Sequence, residues 1–144
     1  MAEEAAIDLA EAEELLTALA DVGIGFVVVG SLARLWLGVS ADLPRDVDIL
    51  LEDAGDSLDR LVLTLRELGF AAESWGEPVG LPLDRAVLSG RFYLRFRRER
   101  QGKTLIADAT YESPLLSFRE AWGRRVQRGA FALASPEDEK RFRW

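Results

Sequence analysis

Apolar residues follow helical spacing in some stretches of the chain and strand spacing in others. Through Ile7–Leu19, Leu9, Leu15, Leu16 and Leu19 stand among glutamates and alanines, which predicts an amphipathic helix with an acidic outer face. Gly23 and Gly25 break it. Val27–Val29 is a β-branched run too short for a helix and stopped at Gly30, so it predicts a buried strand. Ser31 is a good N-cap for a short helix over Leu32–Leu37, and Gly38 suits its C-terminal end. A second apolar run, Val47–Leu51, predicts another strand.

The remainder is read the same way. Residues 52–56 form a polar turn, and Asp56 or Ser57 caps a helix running to Leu68, with Leu58, Leu61, Leu65 and Leu68 on one face. Gly69 closes it and Phe70–Trp75 suits a short strand. Gly76–Leu83, with two glycines and two prolines, is the most loop-like stretch. Arg91–Arg97 alternates basic or tyrosyl residues with Phe92, Leu94 and Phe96, the pattern of a half-buried strand. Arg98–Lys103 reads as a polar turn and Thr104–Thr110 as the second strand of a hairpin. Pro114 starts a helix over Leu115–Val126 with Leu116, Phe118, Ala121 and Trp122 inward. Ala130–Leu133 is a short strand, and Ser135-Pro136-Glu137 opens a last helical turn.

At 144 residues the chain predicts one domain, 1–144, with an ordinary core. No apolar run is long enough to cross a membrane, and the acidic N-terminus lacks the basic start of a signal peptide. The absence of cysteine fits a cytoplasmic location, and the absence of histidine excludes Ser-His-Asp hydrolases and ordinary zinc enzymes. A net charge of −7 argues against broad nucleic-acid binding, although Arg91, Arg95, Arg97, Arg98, Arg100 and Lys103 fall in one stretch that leaves room for a local basic face.

The candidate chemistry lies between residues 26 and 51. Asp46 and Asp48 are two apart, so on a strand they project from the same face. Two neighbouring carboxylates need either a raised pKa or a cation between them, and Mg²⁺ suits such an oxygen pair. Gly30 lets another backbone or a phosphate come close, and the start of the helix at Ser31 offers N–H groups to an anion. A metal cradle facing a phosphate cradle is what nucleotide transfer requires. The plainer alternative is an ion-paired strand, with Arg45 as the nearest partner. Arg34 and Arg45 suit either a triphosphate or a structural counter-ion. Asp108 lies in an apolar strand, where an acid must be liganded or paired with Arg95 or Arg97. Trp36 reads as packing.

The string VVVGSLARLWLG, followed by RDVDILL and a later strand aspartate, resembles the nucleotidyltransferase superfamily of the polymerase-β type. Within it the chain is most similar to small stand-alone AbiEii-like bacterial nucleotidyltransferases, and ALASPED adds to the likeness. The resemblance covers roughly residues 24–110 and more loosely reaches Asp138. It departs from the AbiEii-like pattern at Asp42–Arg45, where relatives often carry Arg-x-Thr-x, and at Trp144, beyond which relatives usually continue into further helices.

The resemblance implies a minimal α+β (α/β) nucleotidyltransferase fold, a central mixed β-sheet flanked by helices. It implies Mg²⁺ on Asp46, Asp48 and Asp108, and a nucleoside triphosphate at Gly30, Ser31, Arg34 and Arg45. The acceptor would be a hydroxyl of RNA, a protein or a small molecule. The roles it implies are a toxin enzyme with a cognate antitoxin, an antitoxin or regulatory module on the same fold, and an antibiotic-modifying transferase.

Overall fold

The computed structural model describes residues 6–52, 57–74, 76–79, 94–110 and 116–142. The turn at 53–56, Trp75, most of the 76–83 loop, Arg91–Tyr93 and the Pro114 helix start lie partly or wholly outside them.

Helix α1 spans Leu9–Asp21, capped by the Asp8 carboxylate, which accepts from the N–H groups of Ala10 and Glu11. Strand β1 (Phe26–Val29) passes directly into α2 (Gly30–Trp36), and β2 is Val47–Leu51. Helix α3 (Ser57–Glu67) follows, its first residue donating a hydroxyl hydrogen bond to the Glu52 carbonyl. Then come β3 (Ala71–Ser74), the two-residue β4 (Glu77–Pro78), β5 (Leu94–Arg100) and β6 (Lys103–Thr110). Helix α4 (Phe118–Gly123), β7 (Val126–Arg128), β8 (Phe131–Leu133) and α5 (Pro136–Arg141) complete the order. Among the described residues no helix is long and apolar enough to cross a membrane.

The strands form one mixed sheet in the order β4-β3-β5-β6-β2-β1-β8-β7. Strand β2 pairs antiparallel with β1 and parallel with β6, and β1 is parallel to β8. Alternation along the strands separates two cores. Val28, Ile49, Leu94, Phe96, Leu105 and Ala107 point to the face covered by α1 and α3, where Leu16, Leu19, Leu61 and Leu65 are buried. Val27, Val29 and Leu50 point to the other face. There they meet Leu116, Ala121 and Phe142, carried on or beside α4 and α5. The fold class expected from the sequence, α+β around a central mixed sheet, is the one observed.

Four local expectations are corrected. Ser31 does not cap α2: the helix begins at Gly30, preceded by Val29 without a side-chain cap. The Arg98–Lys103 turn shrinks to Gln101-Gly102, both at positive φ, because β5 continues to Arg100. A two-residue turn with positive φ matches the twist of a hairpin, and the polar run marked exposure rather than a loop. The Leu115–Val126 helix is described only over Phe118–Gly123 and is followed by strand β7. Ser117 caps it, accepting from the Glu120 N–H and donating to the Glu120 carboxylate. Trp122 is not inward but 39% exposed, stacked on Phe118 at 5.6 Å with the Arg125 guanidinium 4.1 Å above its ring. Trp36 packs as expected, 5.5 Å from Phe131.

Leu61 and Leu63 test the orientation of α3, since the first is fully buried and the second 50% exposed. Leu61→Ala is expected to cost about 2–5 kcal/mol in denaturant unfolding. Leu63→Ala should stay within about 1 kcal/mol.

Candidate active site

Strand register brings the site together. Val29 stands opposite Asp48, Asp48 opposite Asp108, Asp108 opposite Arg95, and Arg95 opposite Glu73. Residues directly opposite on neighbouring strands share a face. One row across five strands therefore carries three acids and an arginine on the α4–α5 side of the sheet, where the apolar cover gives way to polar groups.

Asp46 lies just before β2, not within it, yet joins the same cluster. One carboxylate oxygen from each of Asp46, Asp48 and Asp108 lies within 4.8 Å of the others, with Asp48 and Asp108 buried. Burial pushes the Asp48 carboxyl up from its ordinary 3.8 to about 8. Asp46, Asp108 and Glu139 add to the rise by like-charge repulsion, and Arg95 opposes it.

Gly30 is required by this packing. Its φ is +77°, and a Cβ there would lie 2.3 Å from Asp48 Oδ2. The aspartate rests on the bare backbone at the strand–helix junction, so the Gly-Ser pair and the Asp-x-Asp pair form one unit in space.

Asp108 takes part in two arrangements that the sequence presented as alternatives. It belongs to the acidic cluster, and it also accepts a bidentate pair from Arg95, Nε to Oδ1 at 2.8 Å and Nη2 to Oδ2 at 3.0 Å. Such a fork fixes the carboxylate plane. Three other basic residues of this stretch also meet acids: Arg97 with Glu73 at 3.4 Å, Arg98 with Glu11 at 3.9 Å and Lys103 with Asp8 at 3.7 Å. Four of the six basic residues of the stretch, Arg95, Arg97, Arg98 and Lys103, are thus ion-paired, and Arg91 lies outside the described residues.

Glu139 was not anticipated. It sits on α5, buried, with Oε2 accepting from the Gly30 N–H at 2.8 Å and Oε1 from Arg34 at 2.5 Å. Gly30 and Arg34, both expected at a nucleotide, thus contact an internal carboxylate. In sequence this stretch reads only as the opening of a last helical turn, and the helix register after Ser135-Pro136 shows which acids turn inward. Arg45 is exposed and lines a cleft of about 500 Å³ with Asp8, Glu11, Lys103, Thr104 and Ile106.

Two outcomes test this geometry. Gly30→Ala should destabilise the chain by about 2 kcal/mol or more in denaturant unfolding, through its left-handed backbone and the clash with Asp48. The raised pKa of Asp48 gives the second. Between pH 3.8 and about 8 the native carboxyl keeps a proton that the unfolded chain releases, so metal-free stability falls as pH rises through that window. Asp48→Asn should lose this slope. In chelator, its stability relative to the wild type should improve by a few kcal/mol between pH 5 and pH 8.5, at about 1.4 kcal/mol per pKa unit.

No protein-family model matches the chain, and no curated protein matches it. Two solved structures from Helicobacter pylori are similar. One is of a protein described as a candidate nucleotidyltransferase, with a TM-score of 0.51 and 17% identity over 91% of this chain and 53% of that one. The other is JHP933, with a TM-score of 0.50 and 17% identity over 94% of this chain and 56% of that one. The chain spans about half the length of the structures it matches. At this identity the likeness is one of fold, and the chain has a nucleotidyltransferase-type fold.

Proposed function

We propose that this chain is a Mg²⁺-dependent nucleotidyltransferase, with Asp46, Asp48 and Asp108 as metal ligands. The observation that carries the reading is the convergence of these three carboxylates within 4.8 Å on a face where Asp48 rests on Gly30. The donor set fits a hard divalent cation, since it is all carboxylate oxygen from three acids gathered within 4.8 Å of one another. When bound, the metal would supply charge neutralisation for the carboxylates and for the substrate's phosphates.

The remaining work falls to the chain. The backbone at Gly30 and Ser31, with the Arg34 and Arg45 guanidinium groups, would bind and orient the triphosphate. The acceptor hydroxyl oxygen forms a bond to the α-phosphorus, the bond from that phosphorus to the bridging oxygen breaks, and pyrophosphate leaves. The hydroxyl proton passes to a base. Asp108 has both oxygens held by Arg95, which favours a role in orienting the acceptor over a role as the proton's destination. The acceptor class spans RNA, protein and small hydroxyl compounds, and the toxin–antitoxin role belongs to the same reading.

The test is transfer of an α-labelled nucleotide from ATP, CTP, GTP or UTP to RNA, protein or small-molecule acceptors, with Mg²⁺ and with EDTA. Asp46→Asn, Asp48→Asn and Asp108→Asn should each lower transfer on the order of 100-fold or more. EDTA should abolish it. Mg²⁺ should also flatten the fall of wild-type stability with pH, because a bound cation favours ionised Asp48. Transfer indifferent to Asp48→Asn and to EDTA would refute the reading.

A further inference from the structure

The position of Glu139 bears on how that same site is controlled, and its significance rests on the nucleotidyltransferase reading. Its carboxylate is an anion already seated on the Gly30 N–H and the Arg34 guanidinium, at 2.8 and 2.5 Å. These are donors that a nucleotide phosphate beside Asp48 would need. The carboxylate also adds to the negative field on Asp48, so four acids share one neighbourhood. A phosphate arriving there meets the Gly30 N–H and Arg34 Nη1 already engaged and a like charge in its place.

Glu139 sits on a helix that is held by other side chains. Its neighbour Asp138 is fully buried and accepts from Arg124 in three contacts, at 3.1, 3.0 and 2.7 Å, and its N–H is capped by Ser135. Those bonds hold α5 against α4. The Gly30 and Arg34 contacts are made by the Glu139 side chain alone, so they are distinct from the bonds that seat the helix.

We propose that Glu139 is an internal competitor for nucleotide phosphate, holding Gly30 and Arg34 in the resting chain and swinging aside when a nucleoside triphosphate binds. The carboxylate sets the affinity of the site: it lowers the fraction of molecules ready to bind and weakens the apparent affinity by that fraction.

Pyrophosphate with Mg²⁺ is the probe, because it carries the phosphates common to every nucleotide and no base. Its dissociation constant is measured by calorimetry for the wild type, Glu139→Gln and Glu139→Ala, with folding checked by circular dichroism. Both variants should bind about tenfold more tightly, the equivalent of one charge-assisted contact removed from the competitor. Glu139→Gln keeps the size of the side chain and carries the comparison if Glu139→Ala fails to fold. Unchanged or weaker affinity overturns the proposal, as does the absence of binding in wild type and variants alike.

Mn²⁺ titration followed by electron paramagnetic resonance keeps the two readings apart. Asp48-dependent Mn²⁺ binding with pyrophosphate affinity indifferent to residue 139 leaves the metal site standing and removes the competitor. Tighter pyrophosphate binding without Asp48-dependent Mn²⁺ binding does the reverse.

Discussion

Placing the Asp48 carboxylate on the backbone of Gly30 imposes a charge problem that the surrounding structure answers only in part. The acid is out of water, faces Asp46 and Asp108, and has one opposing cation, Arg95, among the causes of its shift. Burial of a charge is tolerated when it is paired, and neutralisation by a proton is the usual alternative. Arg95 spends its fork on Asp108. Asp48 is therefore the group whose state depends on what else is present: a proton in the bare chain, a cation under the proposed function. Every other feature of the site is arranged around this carboxylate, including the glycine beneath it, the register beside it and the glutamate across from it.

The parts of this arrangement that could be read from sequence were those fixed by strand alternation and local steric rules. A short β-branched run stopped by glycine, and an Asp-x-Asp opening a second apolar run, were enough to place β1, the turn and β2. Asp108 stood out as an acid in an apolar strand. What alternation could not supply was register. Nothing in the sequence says that Asp48, Asp108 and Arg95 stand in one row, since this depends on how β2, β6 and β5 align. Asp108 therefore remained poised between a metal and an arginine, while the structure gives it the arginine and the acidic cluster together.

The misses share one physical cause: polar residues do not announce whether their partner is water or protein. Arg98 and Arg100 looked like a turn and belong to a strand. Ser31 had the chemistry of a cap, but the helix starts two residues earlier than expected, at Gly30, whose positive φ favours glycine, and Glu139 from the other end of the chain meets the first N–H. Glu139 lay in a stretch read only as the opening of a last helical turn. Its role needs long-range knowledge, because α5 reaches α2 only after β8 has added itself beside β1.

That addition explains why the site lies where it does. The α1–α3 face carries buried apolar residues from β1, β2, β5, β6 and β8, whereas on the opposite face the buried apolar cluster draws only on β1, β8 and part of β2. Among the described residues, α4 and α5 cover that part. Asp48 and Asp108 stand at the border of that apolar cover, buried yet beside the less buried Asp46, and the low dielectric there strengthens the interactions among them. Deeper under α5, Asp48 would be an unanswerable charge; farther toward β3 it would be an ordinary solvated acid with no tendency to gather a cation. The Arg124–Asp138 pair fixes the edge of the cover, and through it the position of Glu139. A short C-terminal helix thus helps set both the electrostatics of the acids and the occupancy of the donors beside them.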